Sequence, residues 1–269
     1  MTNHPTSAIK ETEFIIRGAG NFIRKEWENF SRHRVESKGK NDLVSYVDRE
    51  TENQLVKAFS ELIPGSGFIL EEAVNIEAAG DFRWIIDPLD GTTNFIHGVP
   101  AFAISVALQQ NEKTIAGWVL EVPADNLFFA EAGCGATKNG FPIRVSPEPE
   151  FAKSLIATGF PYSKNALPAD YLSVLAEFVK HTHGVRRFGA AALDLVWVAE
   201  GRFEGFYEIG LQPWDVAAGI LIIQEAGGQI SAFSKTGDPL FGRQILASNG
   251  LIHREMLEIL KSWSHLFPG

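Results

Sequence analysis

The chain is poor in the residues that would tie it to an oxidising compartment, a membrane or a nucleic acid. Among 269 residues there is one cysteine, Cys134, which excludes an internal disulfide and fits a reducing compartment. It reads as a small, buried or neutral residue rather than a reactive thiol. No apolar run approaches the roughly 20 residues that cross a bilayer; the longest are Ala101–Leu108 and Val216–Ile223. The first residues, Met1-Thr2-Asn3-His4-Pro5-Thr6-Ser7, lack the basic and apolar blocks of a secretory leader, so a cytoplasmic protein is expected. Positive charge is also short: 24 Lys and Arg stand against 33 Asp and Glu, a net charge of -9. A general nucleic-acid binder needs a basic face, and nothing here supplies one.

What is present is a globular composition, 45% hydrophobic and 21% charged. Apolar residues recur at helical spacing through Ile15, Ala19, Phe22, Ile23, Trp27 and Phe30, predicting a helix over about 7–30. The polar segment Ser31–Asn41 reads as a loop, and a second helix is expected over about 48–62, ended by Pro64-Gly65. Short strands follow at 68–70, 82–86, 102–108, 115–122, 127–132 and 136–138, with Asn139-Gly140 a strong hairpin signal. They predict an antiparallel sheet packed on the two helices. Beyond Pro142–Pro149, strands at 155–158, 185–187, 203–207 and 245–248 alternate with helices at 169–180, 190–200, 214–226 and 253–263. The expected class is therefore α/β: an α+β N-terminal lobe over 1–145 and an α/β lobe over 146–269.

The most informative stretch is Asp87-Pro88-Leu89-Asp90-Gly91-Thr92-Thr93-Asn94, launched from Trp84-Ile85-Ile86. Two carboxylates stand three residues apart where the strand is expected to end, and a helix should start near Thr92. Carboxylates with a turn carbonyl suit a hard divalent cation such as Mg²⁺, and free N–H groups at a helix start suit an anion. Glu71-Glu72 ends the strand at 68–70, and Asp215 follows Trp214 at a later helix start. Taken singly, the Glu pair is a solvated strand end, Asp215 a helix N-terminal acid, and Asp-Pro-Leu-Asp-Gly an ordinary turn. Together they form a cluster that cannot remain ionised without cations. Two or more Mg²⁺ ions would neutralise it and make it attractive to phosphate despite the acidic chain.

Two separated signatures, Trp84–Phe95 and Trp214–Gly219 with Glu225-Ala226-Gly227-Gly228, resemble the inositol monophosphatase family of Mg²⁺-dependent, lithium-sensitive phosphatases. Lys38–Asp48 matches a third region, and the resemblance runs from about residue 10 to 260. It implies a layered α-β-α-β-α sugar-phosphatase fold, an active site between the lobes, and commonly a homodimer. By position, Glu71, Asp87, the Leu89 carbonyl, Asp90 and Asp215 would hold the metals. Thr92, hydrogen-bonded to Asp48, would help Glu71 activate the attacking water. Gly91, Thr92 and Thr93 would contact the phosphate, and Lys38 would lie in a loop approaching the site. Ala191, Glu208 and Asp215 would line the substrate, with Glu208 accepting its hydroxyls; Asp194 and Arg186 are weaker candidates.

The chain departs from the family at Leu70, where glycine is usual, and at Ala190, where relatives often carry a hydroxyl. Both bear on substrate preference rather than on the reaction. The resemblance favours a phosphate monoester, myo-inositol monophosphate, as substrate. Fructose 1,6-bisphosphate, histidinol phosphate and nucleotide 3′-phosphates are alternatives in the same chemistry, and a role as a transcription-complex partner is the alternative outside it.

Overall fold

The computed structural model describes residues 5–29, 35–37, 43–160, 169–234 and 237–261. Five layers alternate through it, and the sequence period sets each. The helix α1 (Pro5–Glu28) buries Thr12, Ile16, Ala19 and Ile23, a stripe centred one residue beyond Ile15. The strand β1 (Val35–Ser37) pairs antiparallel with β2 (Leu43–Ser45), so part of the segment expected to be a loop is extended. The helix α2 (Tyr46–Leu62) buries Val47, Thr51, Leu55, Phe59 and Leu62, the spacing of a core-facing helix. Beside that seam it also buries two acids, Asp48 and Glu52.

Seven strands form the first sheet: β3 (Gly67–Leu70), β4 (Phe82–Asp90), β5 (Ala103–Gln110), β6 (Lys113–Glu121), β7 (Asn126–Glu131), β8 (Ala136–Lys138) and β9 (Phe141–Pro142), in that order. Every neighbouring pair is antiparallel except β3 and β4, which run parallel. The expectation of a wholly antiparallel sheet fails there because residues 71–81 turn back along the outer side of β3, where Ile76 bridges Phe68, and so return the chain to the end at which β3 began. Asn139 and Gly140, both at positive φ, close the β8–β9 hairpin. Alternation assigns the sheet's two faces. Trp84, Ile86, Val106 and Trp118 meet α1 and α2 on one side. Ile85, Ala107, Val119 and Phe128 face the other. Trp84 stacks on Phe59 of α2, ring centroids 4.2 Å apart.

The second face is covered by α5 (Ala191–Ala199) and α6 (Pro213–Glu225), which are apolar nearly all round and buried between two sheets. A Cβ on Gly117 of β6 would lie 3.0 Å from the Ala218 Cα, so glycine there lets α6 approach the sheet closely. The second sheet has the order β11 (Gly184–Arg186), β10 (Leu155–Thr158), β12 (Gly205–Ile209), β14 (Gln244–Ser248), β13 (Gln229–Ser231). β10 is parallel to β11 and β12, and the β12–β14–β13 pairs are antiparallel. Ala157, Phe206 and Ala247 face the central helices, while Ile156, Tyr207 and Leu246 face α4 (Ala169–His181) and α7 (His253–Lys261). β13 was not expected: three residues after Gly227-Gly228 carry too little pattern to read as a strand. Cys134, expected to be buried or neutral, is exposed between Gly133 and Gly135. Among the described residues no helix is long and apolar enough to cross a membrane.

Candidate active site

The parallel pairing of β3 with β4 builds the first half of the site. Leu70 lies opposite Ile86, so the residues that follow, Glu71 and Asp87, fall side by side. Their carboxyl groups face each other at the end of the two strands. Burial and then neighbouring carboxylates push both groups well above the usual carboxylate range. Leu70, buried at the strand end, contributes packing.

β4 does not end at Ile86. It continues to Asp90 with an irregularity in its pairing between Asp87 and Asp90. Within that bulge the Leu89 N–H donates to Asp87 Oδ1 at 2.9 Å. The bulge re-aims the chain so that both Asp87 and Asp90 stand at the sheet edge. Gly91 then turns at φ +89 and caps α3 (Thr92–His97). A Cβ there would come 2.8 Å from the Ala101 carbonyl oxygen, so glycine is required by conformation and by space. The Thr92 Oγ1 lies 2.8 Å from Asp48 Oδ1 and 3.0 Å from the Leu89 carbonyl oxygen. Thr93 is exposed in the first turn of α3.

The central helices bring the remaining acids to the same edge. Ser105 pairs with Asp87 across β4–β5, and its hydroxyl donates to the Trp214 carbonyl at 3.1 Å. That bond holds the start of α6, and hence Asp215, over the end of β4. Asp215 caps its own helix: its Oδ2 accepts the Gln212 N–H at 2.6 Å in a reciprocal capping box. Asp90 Oδ2 accepts the Ala192 N–H at 2.7 Å, tying β4 to the start of α5 beside Ala191. Burial and then Asp215 push Asp90 up to about 7. Burial raises Asp215 to about 6 against the pull of the Gln212 N–H. Glu208, on β12, is pushed to about 8, first by burial and then by Asp215.

The sites expected from the sequence therefore lie together, with one exception: Lys38 falls outside the described residues. Two further participants, Arg187 and Asn94, join Asp194, already a weaker candidate from the sequence. Arg187, rather than Arg186, is the cation that attracts Asp90, Asp194 and Glu208. Asp194 is buried in α5 with neither carboxylate oxygen hydrogen-bonded. Asn94 donates through Nδ2 to the Ala101 carbonyl at 2.7 Å and to the Phe188 carbonyl at 2.8 Å, locking α3 to the far half of the site. Its place inside the Asp87–Asn94 motif was the only hint.

The donor set fits a hard divalent cation. It is all oxygen, Glu71 Oε2 is buried without a hydrogen-bond partner, and the acids repel one another through a dry interior. Among the described residues, though, no three His, Cys, Asp or Glu side chains stand ready to hold one ion. Asp90 is engaged by the Ala192 N–H and Asp215 by the Gln212 N–H. An ion bound there would favour the charged forms that burial opposes.

A family model for inositol monophosphatases matches residues 6–264. The chain belongs to the inositol monophosphatase family. It is 38% identical over 244 residues to an inositol-1-monophosphatase of Mesorhizobium japonicum, covering 90% of this chain and 92% of that protein. It is 42% identical over 257 residues to a putative Nus factor SuhB of Neisseria meningitidis serogroup B, covering 95% of both. The crystal structure of the extragenic suppressor protein suhB from Bartonella henselae superposes with a TM-score of 0.88 at 38% identity, over 95% of this chain and 98% of that one. The layered fold and the phosphatase family are thus those the motifs indicated.

Proposed function

We propose that this family member hydrolyses myo-inositol monophosphate to inositol and phosphate, using Mg²⁺ held by Glu71, Asp87, the Leu89 carbonyl, Asp90 and Asp215. One observation carries the reading: the acids that follow β3, end β4 and open α6 meet at one sheet edge, where burial raises each above its usual range. Bound there, the ions would supply charge neutralisation, Lewis-acid stabilisation of the phosphoryl oxygens and a more acidic attacking water.

The chain's own groups do the positioning. The Thr92 hydroxyl, held by buried Asp48, orients the attacking water, and Glu71 and the Thr92–Asp48 pair receive its proton. The water oxygen bonds to phosphorus as the ester oxygen leaves in line, and the leaving alkoxide takes a proton from solvent within the cleft. N–H and hydroxyl groups at Gly91, Thr92 and Thr93 bind the phosphate. Glu208 accepts hydroxyls of the polyol, with Ala191 beside it. Lys38 is included in the site on the family likeness alone. The relative named inositol-1-monophosphatase supports the substrate.

Phosphate release from inositol 1-phosphate, measured with and without Mg²⁺ and alongside fructose 1,6-bisphosphate, histidinol phosphate and a nucleotide 3′-phosphate, tests this. Metal-dependent turnover that favours the inositol ester supports it, and a higher kcat/KM for any other ester redirects it. A second reading follows from the relative named a putative Nus factor: the chain also serves as a partner of a transcription complex. Co-purification with that machinery by a turnover-dead Asp90→Asn protein would separate this role from catalysis. The family likeness further supports a homodimer in the cytoplasm, which light scattering and cell fractionation check.

A further inference from the structure

α2 carries a second buried acid that the reaction above does not use. Glu52 lies one helical turn beyond Asp48, and both are almost wholly buried. The Glu52 Oε2 accepts the Glu72 N–H at 3.0 Å. The N–H groups of Glu71 and Ala73 are directed at the same carboxylate. Burial and then the Glu72 charge push Glu52 above the usual carboxylate range, against the pull of the backbone N–H groups it faces, so charge alone would not put it there.

The backbone explains its presence. β3 is the edge strand of its sheet, and its last pairing is Leu70 with Ile86. On the approach to the turn, the Leu70 N–H is taken by Asn75 Oδ1 at 2.9 Å. Beyond Leu70 the ladder offers the next N–H groups no strand carbonyl, and a buried N–H left unpaired is costly. An ionised carboxylate accepting several N–H groups is a strong, directional substitute. The same helix holds Thr92 through Asp48. One rigid element thus sets the register of both turns that carry the proposed metal and water chemistry.

We propose that Glu52 is a positioning residue that clamps the backbone of residues 71–73 and so aims the Glu71 carboxylate at the divalent cation. This rests on the reading of Glu71 as a metal ligand.

Mn²⁺ titration followed by electron paramagnetic resonance, together with amide hydrogen exchange of the metal-free protein, tests it on the full chain. Glu52→Gln keeps the shape but turns donor protons toward donors. It should weaken Mn²⁺ binding by about tenfold or more, as loss of a group supporting a metal ligand does. The KM for inositol 1-phosphate should stay within about twofold while kcat falls. Exchange should accelerate at 71–73 and stay unchanged in β5 and β6. If that variant does not fold, Glu52→Asp, which retains the charge but retracts it by one methylene, should shift the same readings in the same direction. Wild-type Mn²⁺ affinity in folded Glu52→Gln, accompanied only by a lower Tm, would overturn the inference. Failure of the wild type itself to bind Mn²⁺, or undiminished binding in Glu71→Gln, would instead overturn the reading of the site on which it rests.

Discussion

Replacing Asp90 with asparagine should abolish turnover and yet stabilise the metal-free protein. Burial and Asp215 raise the Asp90 carboxyl from 3.8 to about 7. An acid raised in this way binds its proton more tightly when folded than when unfolded. The resulting cost is absent below about pH 4, grows through the interval, and is complete above about pH 7. Three pH units correspond to about 4 kcal/mol. Some of this disappears when a neighbour such as Asp215 takes the proton instead, leaving about 2–4 kcal/mol. Asparagine has nearly the same shape, keeps an oxygen for the Ala192 N–H, and carries no charge. For a chain of this size the gain amounts to a rise in Tm of about 5–10 °C. Thermal melts followed by circular dichroism, in EDTA at pH 8.5 and at pH 4.5, measure it. The variant should lead the wild type at high pH, the lead should shrink at low pH, and Mg²⁺ should stabilise the wild type alone. Equal or lower stability of Asp90→Asn at pH 8.5 would refute the claim that uncompensated charge at this edge is held against the fold's preference.

Three other expectations are local. The buried His253 bridges Ser231 at 3.0 Å and Ser248 at 2.9 Å, and burial lowers it to about 4; stability should fall by up to about 3 kcal/mol as pH drops from about 6.5 to 4, where the unfolded chain binds the extra proton. Urea unfolding across that range should be flatter by one proton in His253→Asn. Gly91→Ala, at φ +89 against the Ala101 carbonyl, should cost about 1–3 kcal/mol and displace the start of α3; chemical denaturation and kcat would both register it, and a variant with wild-type values would show that the turn tolerates a side chain. Glu208→Gln should raise KM for inositol 1-phosphate while leaving hydrolysis of a simple aryl phosphate unchanged; equal losses on both would remove Glu208 from the polyol side.

Much of this site could be read in advance because its acids lie in short motifs beside strongly patterned elements. Apolar runs before Glu71 and Asp87 marked two strands, and Trp214-Asp215 marked a helix start. What could not be read was the relation between them. Whether β3 runs parallel or antiparallel to β4 depends on the path of residues 71–81, which carry no period. The continuation of β4 to Asp90 was hidden by Pro88, since proline usually argues against a strand interior and here sits within the irregularity. The strand β1 was masked by polar neighbours, because a two-stranded ribbon needs little apolar surface. Glu52 was not read in advance, because an acid one turn from Asp48 on a helix looks like part of a solvated face. The direction of Arg187 rather than Arg186 toward the acids was beyond sequence reasoning, since neighbouring side chains on an extended segment alternate faces and the sheet decides which faces in.

The central claim is that carboxylates from separate elements collect divalent ions at one sheet edge. Anomalous diffraction from crystals soaked in Mn²⁺ is its most direct test. The account predicts density among Glu71, Asp87, Asp90 and Asp215, within bonding distance of their carboxylate oxygens. An empty edge at saturating Mn²⁺ would contradict it.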